Sequence, residues 1–396
     1  LYLICFFFSN KMKLYSLLTL FSISFLNNNL VQCFNDAEPL SEQQHLAVDK
    51  MLSGLTCCSQ INNEHENVNH DNDILKKREP VTTNGVTLDL DLLKTTQIPV
   101  PKWLTDFTGI TQWPGIDPPY IPLDFIDFNK IPKFQPYPQG TCPPEGRQTC
   151  SFDCYKCVEP DDVYTCPKLS QTFDDGPTSA TTNLLNKFAS TGQKSTFFNL
   201  GINVVSHPDI YQRMVREKHL IGTHTWSHPF LPSLSNEQII AQIQWSIWAM
   251  NATGYHIPKW FRPPYGAIDN RIRAITRQFG LQAVLWDYDT FDWMLLDQSN
   301  TQRTEQEILR DVSQWNSKNL KIGIILEHDG ALKTVQVGEK VSDLIGPDQF
   351  TVNQCVGGID YIKTFPENLN QPRGRRHRRI RRPHSISPNK KREFIN

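Results

Sequence analysis

Between Cys166 and about Ile362 the chain alternates short apolar runs with longer amphipathic ones. Residues 194–199, 219–223, 281–286 and 321–326 are apolar runs of strand length, and the last two carry the unbroken hydrophobicity of buried parallel strands. Between them lie segments with helix-start and helix-stop chemistry. Ser235 with Gln238 forms a capping box ahead of 236–251, which Gly254 closes. Asp269 caps 270–279 before Gly280, and Thr304 with Glu307 caps 305–316. Strand alternating with helix predicts an α/β fold on a parallel sheet, open or closed into a barrel. No internal repeat is visible.

The flanks have a different texture. Residues 99–140 interleave Pro with Trp, Phe and Tyr, for example Trp103, Trp113, Pro118, Pro119 and Phe125. Proline at this density speaks against regular helices, and so many large side chains predict an extended arm packed on the next domain. With the cysteine-rich stretch that follows, this arm makes up an extension over 99–165. Residues 34–98 are polar and rich in Asn and Glu, the composition of a disordered pro-region, with a dibasic processing candidate at Lys76-Lys77-Arg78. Met12, Lys13 and the apolar run to Leu26 read as a secretory signal peptide over 12–33, with an uncleaved signal anchor as the rival. No later run is long enough to span a bilayer.

Composition sharpens this division. Hydrophobic content is only 39%, as expected if part of the chain is unpacked, and the net charge of −1 excludes a dedicated nucleic-acid binder. The average conceals a basic, disordered tail over 366–396 with Arg375, Arg376, Arg378 and Arg379, a candidate for adhesion to an anionic wall or membrane surface. Cys142, Cys150, Cys154, Cys157, Cys166 and Cys355 fit an oxidising compartment and three bridges, among fifteen pairings. Cys150-x3-Cys154-x2-Cys157 also reads as a zinc-ligand spacing. Asn251-Ala252-Thr253 is an N-glycosylation acceptor.

The candidate chemistry falls just after the predicted strands. Asp174-Asp175-Gly176-Pro177 offers adjacent carboxylates at a turn, and His224-x3-His228 offers two imidazoles. One carboxylate and two histidines make three protein ligands for a divalent ion, with a position left for water or substrate. The second carboxylate is then a general base. Arg262-Pro263-Pro264-Tyr265-Gly266, Asp292-Trp293 and His328-Asp329 also sit at strand ends, where an α/β barrel gathers its functional groups. Each string alone is an ordinary turn or strand terminus. Together they describe a metal-assisted hydrolase.

These five motifs resemble those of the polysaccharide deacetylases, the carbohydrate esterase family 4 or NodB-homology domain. The similarity runs from about Cys166 to Tyr361, with the domain placed over 166–365. Ser170-Gln171-Thr172-Phe173-Asp174-Asp175-Gly176-Pro177 and Phe261-Arg262-Pro263-Pro264-Tyr265-Gly266-Ala267 resemble fungal chitin deacetylases, most closely the sporulation enzymes of budding yeasts. The resemblance implies a distorted (β/α) barrel. It implies that Asp175, His224 and His228 hold one divalent ion, zinc or else cobalt. Asp174 is then the base, Arg262 its holder, and the Tyr265 N–H an oxyanion donor. Trp293 and Leu326 line the acetyl pocket, and His328 is the general acid, raised by Asp292. It implies further that Cys166 pairs with Cys355, leaving the other four to pair among themselves. The reaction implied is hydrolysis of N-acetyl groups on the N-acetylglucosamine units of chitin, giving chitosan and acetate, by a secreted protein of the cell wall or spore wall. Peptidoglycan and acetyl xylan are the rival substrates, and a non-catalytic glycan-binding wall protein is the rival class. One departure stands out: the strand before Asp174 is polar, Ser170-Gln171, where the family is apolar.

Overall fold

The computed structural model describes residues 81–83, 86–88, 97–296, 303–318 and 321–366. The leader, the dibasic site, most of 34–98 and the basic tail beyond 366 lie outside these residues. A short antiparallel hairpin, β1 (Val81–Thr83) with β2 (Val86–Leu88), falls within the segment read as a disordered pro-region.

The central sheet comprises β3 (Ser170–Asp174), β4 (Thr196–Asn199), β5 (Leu220–Thr223), β7 (Trp260–Phe261), β8 (Gln282–Ala283), β9 (Tyr288–Asp289) and β10 (Ile324–His328). Its order is β8-β7-β5-β4-β3-β10-β9, and every pairing is parallel. The two edge strands follow each other directly in the chain. Seven strands laid flat would separate those edges by about 29 Å at about 4.8 Å per step. The peptide units from Ala283 to Tyr288 reach at most about 18 Å. The sheet must therefore curl, and it is a distorted half-barrel rather than an open layer. The apolar run 281–286, expected as one strand, is split by this crossing. Gln282 and Ala283 pair with β7, while Val284 bridges Val163 on the incoming extension. A separate two-stranded pair, β6 (His256–Pro258) with β11 (Tyr361–Thr364), closes the domain.

The helices are α1 (Lys102–Thr108), α2 (Phe152–Tyr155), α3 (Thr181–Thr191), α4 (Gly201–Ser206) and α5 (Pro208–Arg216). They continue with α6 (Asn236–Gly254), α7 (Asn270–Gln278), α8 (Glu305–Lys318), α9 (Leu332–Ile345) and α10 (Val352–Val356). Helix α1 corrects the expectation that proline excludes helices from 99–140. Pro101 occupies the N-cap, where no helical N–H is lost, and Gly109 ends the helix at φ 73. The capping box of Ser235 and Gln238 opens α6, and Asp269 caps α7 through the Ile272 N–H. Gly254, however, is not the stop of α6. The left-handed cap is Tyr255, and Gly254 is small because a Cβ there would lie 2.6 Å from the Tyr211 ring.

Helix α6 is buried along nearly its whole length, from Ile239 to Met250. A helix apolar all round needs cover on both sides. The barrel supplies one side and the 98–126 arm the other. The Trp245 indole donates to the Pro119 carbonyl at 2.8 Å, and Phe107 meets Trp248 edge-on at 5.9 Å. At the polar start of β3 the Ser170 hydroxyl is buried without a hydrogen-bond partner, whereas Gln171 is accommodated. Gln171 is fully buried and donates to the Gly338 carbonyl of α9 at 2.9 Å, while its side-chain oxygen accepts from Gln193. Gln193 in turn accepts from Ser342.

The disulfides are Cys142–Cys154, Cys150–Cys157 and Cys166–Cys355. All six cysteines are committed, which removes the zinc-spacing reading. The third bridge ties the entry of the barrel to its end across 189 residues, a loop constraint of about 5 kcal/mol in the chain-entropy view. Three bridges fit a secreted or cell-wall protein. No helix among the described residues is long and apolar enough to cross a membrane.

Candidate active site

The polar motifs gather where parallel strands end. Asp174 finishes β3 and Asp175 follows it, His224 follows β5, Arg262 follows β7, Asp292 follows β9, and His328 finishes β10. The cleft they form is also lined by Tyr265, Trp286, Asp289, Phe291, Trp293 and Leu326. All the expected site residues apart from Asn251 and the cysteines therefore sit at one end of the barrel. Asn251 lies half-buried in the last turn of α6, with Thr253 of its acceptor triplet almost wholly buried.

Asp175, His224 and His228 place one donor atom each within 4.8 Å of one another. The two imidazole Nε2 atoms lie 3.6 and 3.5 Å from Asp175 Oδ1. That is too long for a hydrogen bond, yet close to the ~3.4 Å that separates ligands about a tetrahedral ion. Asp175 Oδ1 is buried without a hydrogen-bond partner. His224 Nδ1 donates to the Arg262 carbonyl at 2.8 Å, so its Nε2 presents a lone pair to the same centre. Burial pushes His224 down to about 3 and His228 well below its usual value, keeping both rings neutral. Burial pushes Asp175 up to about 7; His328 opposes the shift and the Asp174 charge adds to it, a balance that a cation reverses. The donor set thus fits a zinc-type divalent ion.

Beside this centre, Asp174 Oδ1 accepts from Arg262 Nη1 at 2.9 Å. Burial raises the Asp174 carboxyl, and the guanidinium pulls it back. Arg262 is itself fully buried and also donates to Thr172 Oγ1 at 2.8 Å. On the other wall, Asp292 grips His328 twice. Its Oδ1 lies 2.6 Å from His328 Nδ1, and its Oδ2 accepts the His328 N–H at 2.9 Å. Burial disfavours the His328 cation, but Asp292 and the carboxylates of Asp175 and Asp174 outweigh it and push the ring up to about 10. With Nδ1 engaged, Nε2 is the nitrogen left to face a substrate. Pro263 and Pro264 lack N–H groups, so Tyr265 carries the first backbone donor after Arg262.

Four of the cleft residues, Asp175, His228, Tyr265 and Phe291, hold left-handed backbone at φ 82, 64, 60 and 54. Such positions cost non-glycine residues ~1–3 kcal/mol each, and persist only where surroundings dictate them. Several of those surroundings escaped sequence reasoning. Asp329, singled out only as part of a motif, accepts from the Gly176 N–H at 2.9 Å and from Thr181 Oγ1 at 2.6 Å, pinning the Asp174–Pro177 turn. Gly176 is required because any Cβ would collide with that carboxylate. Asn203 donates to the Asp175 carbonyl at 2.7 Å. Neither Asn203 nor Gln242, which supports the histidine loop, belongs to a recognisable string; each sits on a helix outside the motif it supports. Phe291 stands 41% exposed at the rim and could have been noticed as an aromatic beside Asp292.

Residues 162–284 match the polysaccharide deacetylase family. Chitin deacetylase 2 of Saccharomyces cerevisiae is 65% identical over 270 residues, covering 68% of this chain and 85% of that one. The chain belongs to the polysaccharide deacetylases. Chitin deacetylase 1 of the same yeast is 58% identical over 294 residues, covering 74% of this chain and 94% of that one. Among solved structures, the chitin deacetylase of the fungal pathogen Colletotrichum lindemuthianum is 26% identical with a TM-score of 0.45, over 55% of this chain and 97% of that one. As a polysaccharide deacetylase the chain is a hydrolase.

Proposed function

We propose that this deacetylase removes N-acetyl groups from N-acetylglucosamine units of chitin, releasing acetate and leaving chitosan. The observation that carries the substrate is its 65% identity to a yeast chitin deacetylase along 85% of that relative's length. Formation of a fungal wall, including the spore wall, is the setting that fits this substrate and an oxidised, disulfide-bonded chain.

Asp175, His224 and His228 hold the divalent ion, zinc by the nitrogen and oxygen character of the donors. Such an ion supplies Lewis acidity to the acetamide carbonyl and to the attacking water. Asp174, raised by burial and steadied by Arg262, takes the proton from that water. The Tyr265 N–H meets the negative charge that develops on the carbonyl oxygen, a donor of a kind whose loss costs ~3 kcal/mol. Trp293 and Leu326 bound the space for the acetyl methyl. An amine departs only when protonated. His328, kept cationic by Asp292, delivers that proton from Nε2.

The test is mass spectrometry of chitin tetramer incubated with the full chain, with and without chelator, beside acetyl xylan. Loss of 42 Da steps (about one acetyl each) from the tetramer, abolished by chelator and restored by zinc, is expected. Turnover of acetyl xylan with an untouched tetramer overturns the substrate, and full activity after chelation overturns the ion.

A further inference from the structure

The loop that carries the two histidines takes only part of its shape from itself, through the His228 N–H donating to Thr225 Oγ1 at 3.1 Å. Thr225 and His228 are both left-handed, at φ 74 and 64, and neither is glycine. Residues outside the loop must supply the rest of what holds that conformation. Its front faces the cleft, so its back is where support is found.

The Gly201 and Ile202 N–H groups of α4 hold the Thr225 and Trp226 carbonyls at 2.9 and 3.0 Å, and the N–H groups of Trp226 and Ser227 converge on one side chain. Gln242 of α6 is 3% exposed. Its Oε1 accepts the backbone N–H of Trp226 at 3.1 Å and of Ser227 at 3.0 Å. Its Nε2 donates to the Ile116 carbonyl at 3.2 Å and to Ser227 Oγ at 3.0 Å. Ser227 Oγ donates to the same Ile116 carbonyl at 2.5 Å, and the Trp226 indole donates to the Gly115 carbonyl at 2.7 Å. Trp113 stacks on Trp226 with ring centroids 6.0 Å apart. Gly115 and Ile116 belong to the arm, outside the 162–284 stretch that matches the family.

We infer that Gln242 is a positioning residue for the metal ligands, and that it works by clamping the His224–His228 loop to carbonyls of the N-terminal arm. The arm is then a working part of the ion site and not merely a cover for α6. The inference rests on the ion-binding reading of Asp175, His224 and His228. Without the clamp, Trp226 and Ser227 lose the acceptor that fixes their N–H groups. His228 then relaxes toward negative φ and its imidazole swings off the centre it shares with Asp175.

The experiment measures zinc affinity of the full chain by competition with a chromogenic chelator, with thermal unfolding of the metal-free protein in parallel. Gln242→Leu fills the same space without hydrogen bonds. It is expected to bind zinc about 10–100-fold more weakly, the usual loss when a group supporting a ligand is removed. Its metal-free form should still unfold cooperatively. Ser227→Ala removes the hydroxyl tie to the arm and one acceptor of Gln242 Nε2, leaves both N–H bonds to Gln242 Oε1, and should weaken zinc by a few-fold. It decides the matter if Gln242→Leu fails to fold. Gln242→Glu keeps the acceptor for both N–H groups and should recover affinity relative to Gln242→Leu. Wild-type zinc affinity in a folded Gln242→Leu protein, or in Ser227→Ala where that variant must decide, overturns the clamp. If the unmutated chain binds zinc no better than His224→Ala, the ion-binding reading fails first, and the clamp falls with it.

Discussion

Glu327 and His328 are consecutive on β10, yet they face opposite sides of the sheet and live in opposite electrostatic worlds. His328 looks into the cleft and stays cationic, pushed up to about 10 because Asp292 answers its charge from 2.6 Å. Glu327 looks outward beneath α9, beside Gly338 and Phe173, and is wholly buried. Burial, with Asp292 adding its repulsion, raises its carboxyl well above the usual value, so it stays protonated. Dehydration alone neutralises a group; dehydration with a well-placed counter-charge preserves it. The cleft face consists of such answered charges, Asp174 with Arg262 and His328 with Asp292. The outer face consists of apolar rings and neutral amides.

That contrast predicts a graded response to substitution. Replacing Asp174 with Asn removes the proposed base from the cleft face and should lower kcat by about 10²–10⁴-fold while zinc binding persists. A variant that keeps near-wild-type turnover would place the base elsewhere. Asp292→Asn should act less severely and through pH. Without its anion, burial governs His328 and its pKa falls, so the alkaline limb of the kcat/KM profile should move to lower pH. An unmoved limb would separate His328 from the proton that the leaving amine needs.

Glu327→Gln probes the other face and should leave the pH–rate profile unmoved. Its effect is on stability. The folded state holds the Glu327 proton more tightly than the unfolded chain does, so that interaction favours folding least at high pH. The amide removes the penalty. The variant should therefore be more stable than the natural chain, with a gap that opens as pH rises above about 4.3. Urea unfolding at pH 5 and pH 8 measures it, and an equal gap at both values would show Glu327 to be ionised in the fold.

The cleft face was readable because its chemistry needs particular residue types at strand ends, and those types are rare together. Asp174, His224, Arg262, Asp292 and His328 could be named for that reason. The outer face was harder. Gln171 looked wrong for a buried strand because its partners, Gln193 and Gln349, with Ser342 behind Gln193, come from distant segments that no local pattern connects. Capping residues were legible at Ser235, Asp269 and Thr304, where a side chain answers a backbone group three positions away. Gly254 misled because glycine has two uses, left-handed backbone and close approach, and only packing tells which applies. Helix α1 was missed by treating proline as a breaker at every position, when Pro101 stands ahead of the first turn.

The run from β8 to β9 also bears on how the molecule behaves among other chains. An open sheet offers a row of unanswered N–H and C=O groups on which a neighbour can grow. Here each border is two residues long, and the backbone that leaves one border enters the other. Borders this short leave a neighbouring chain very little to pair with.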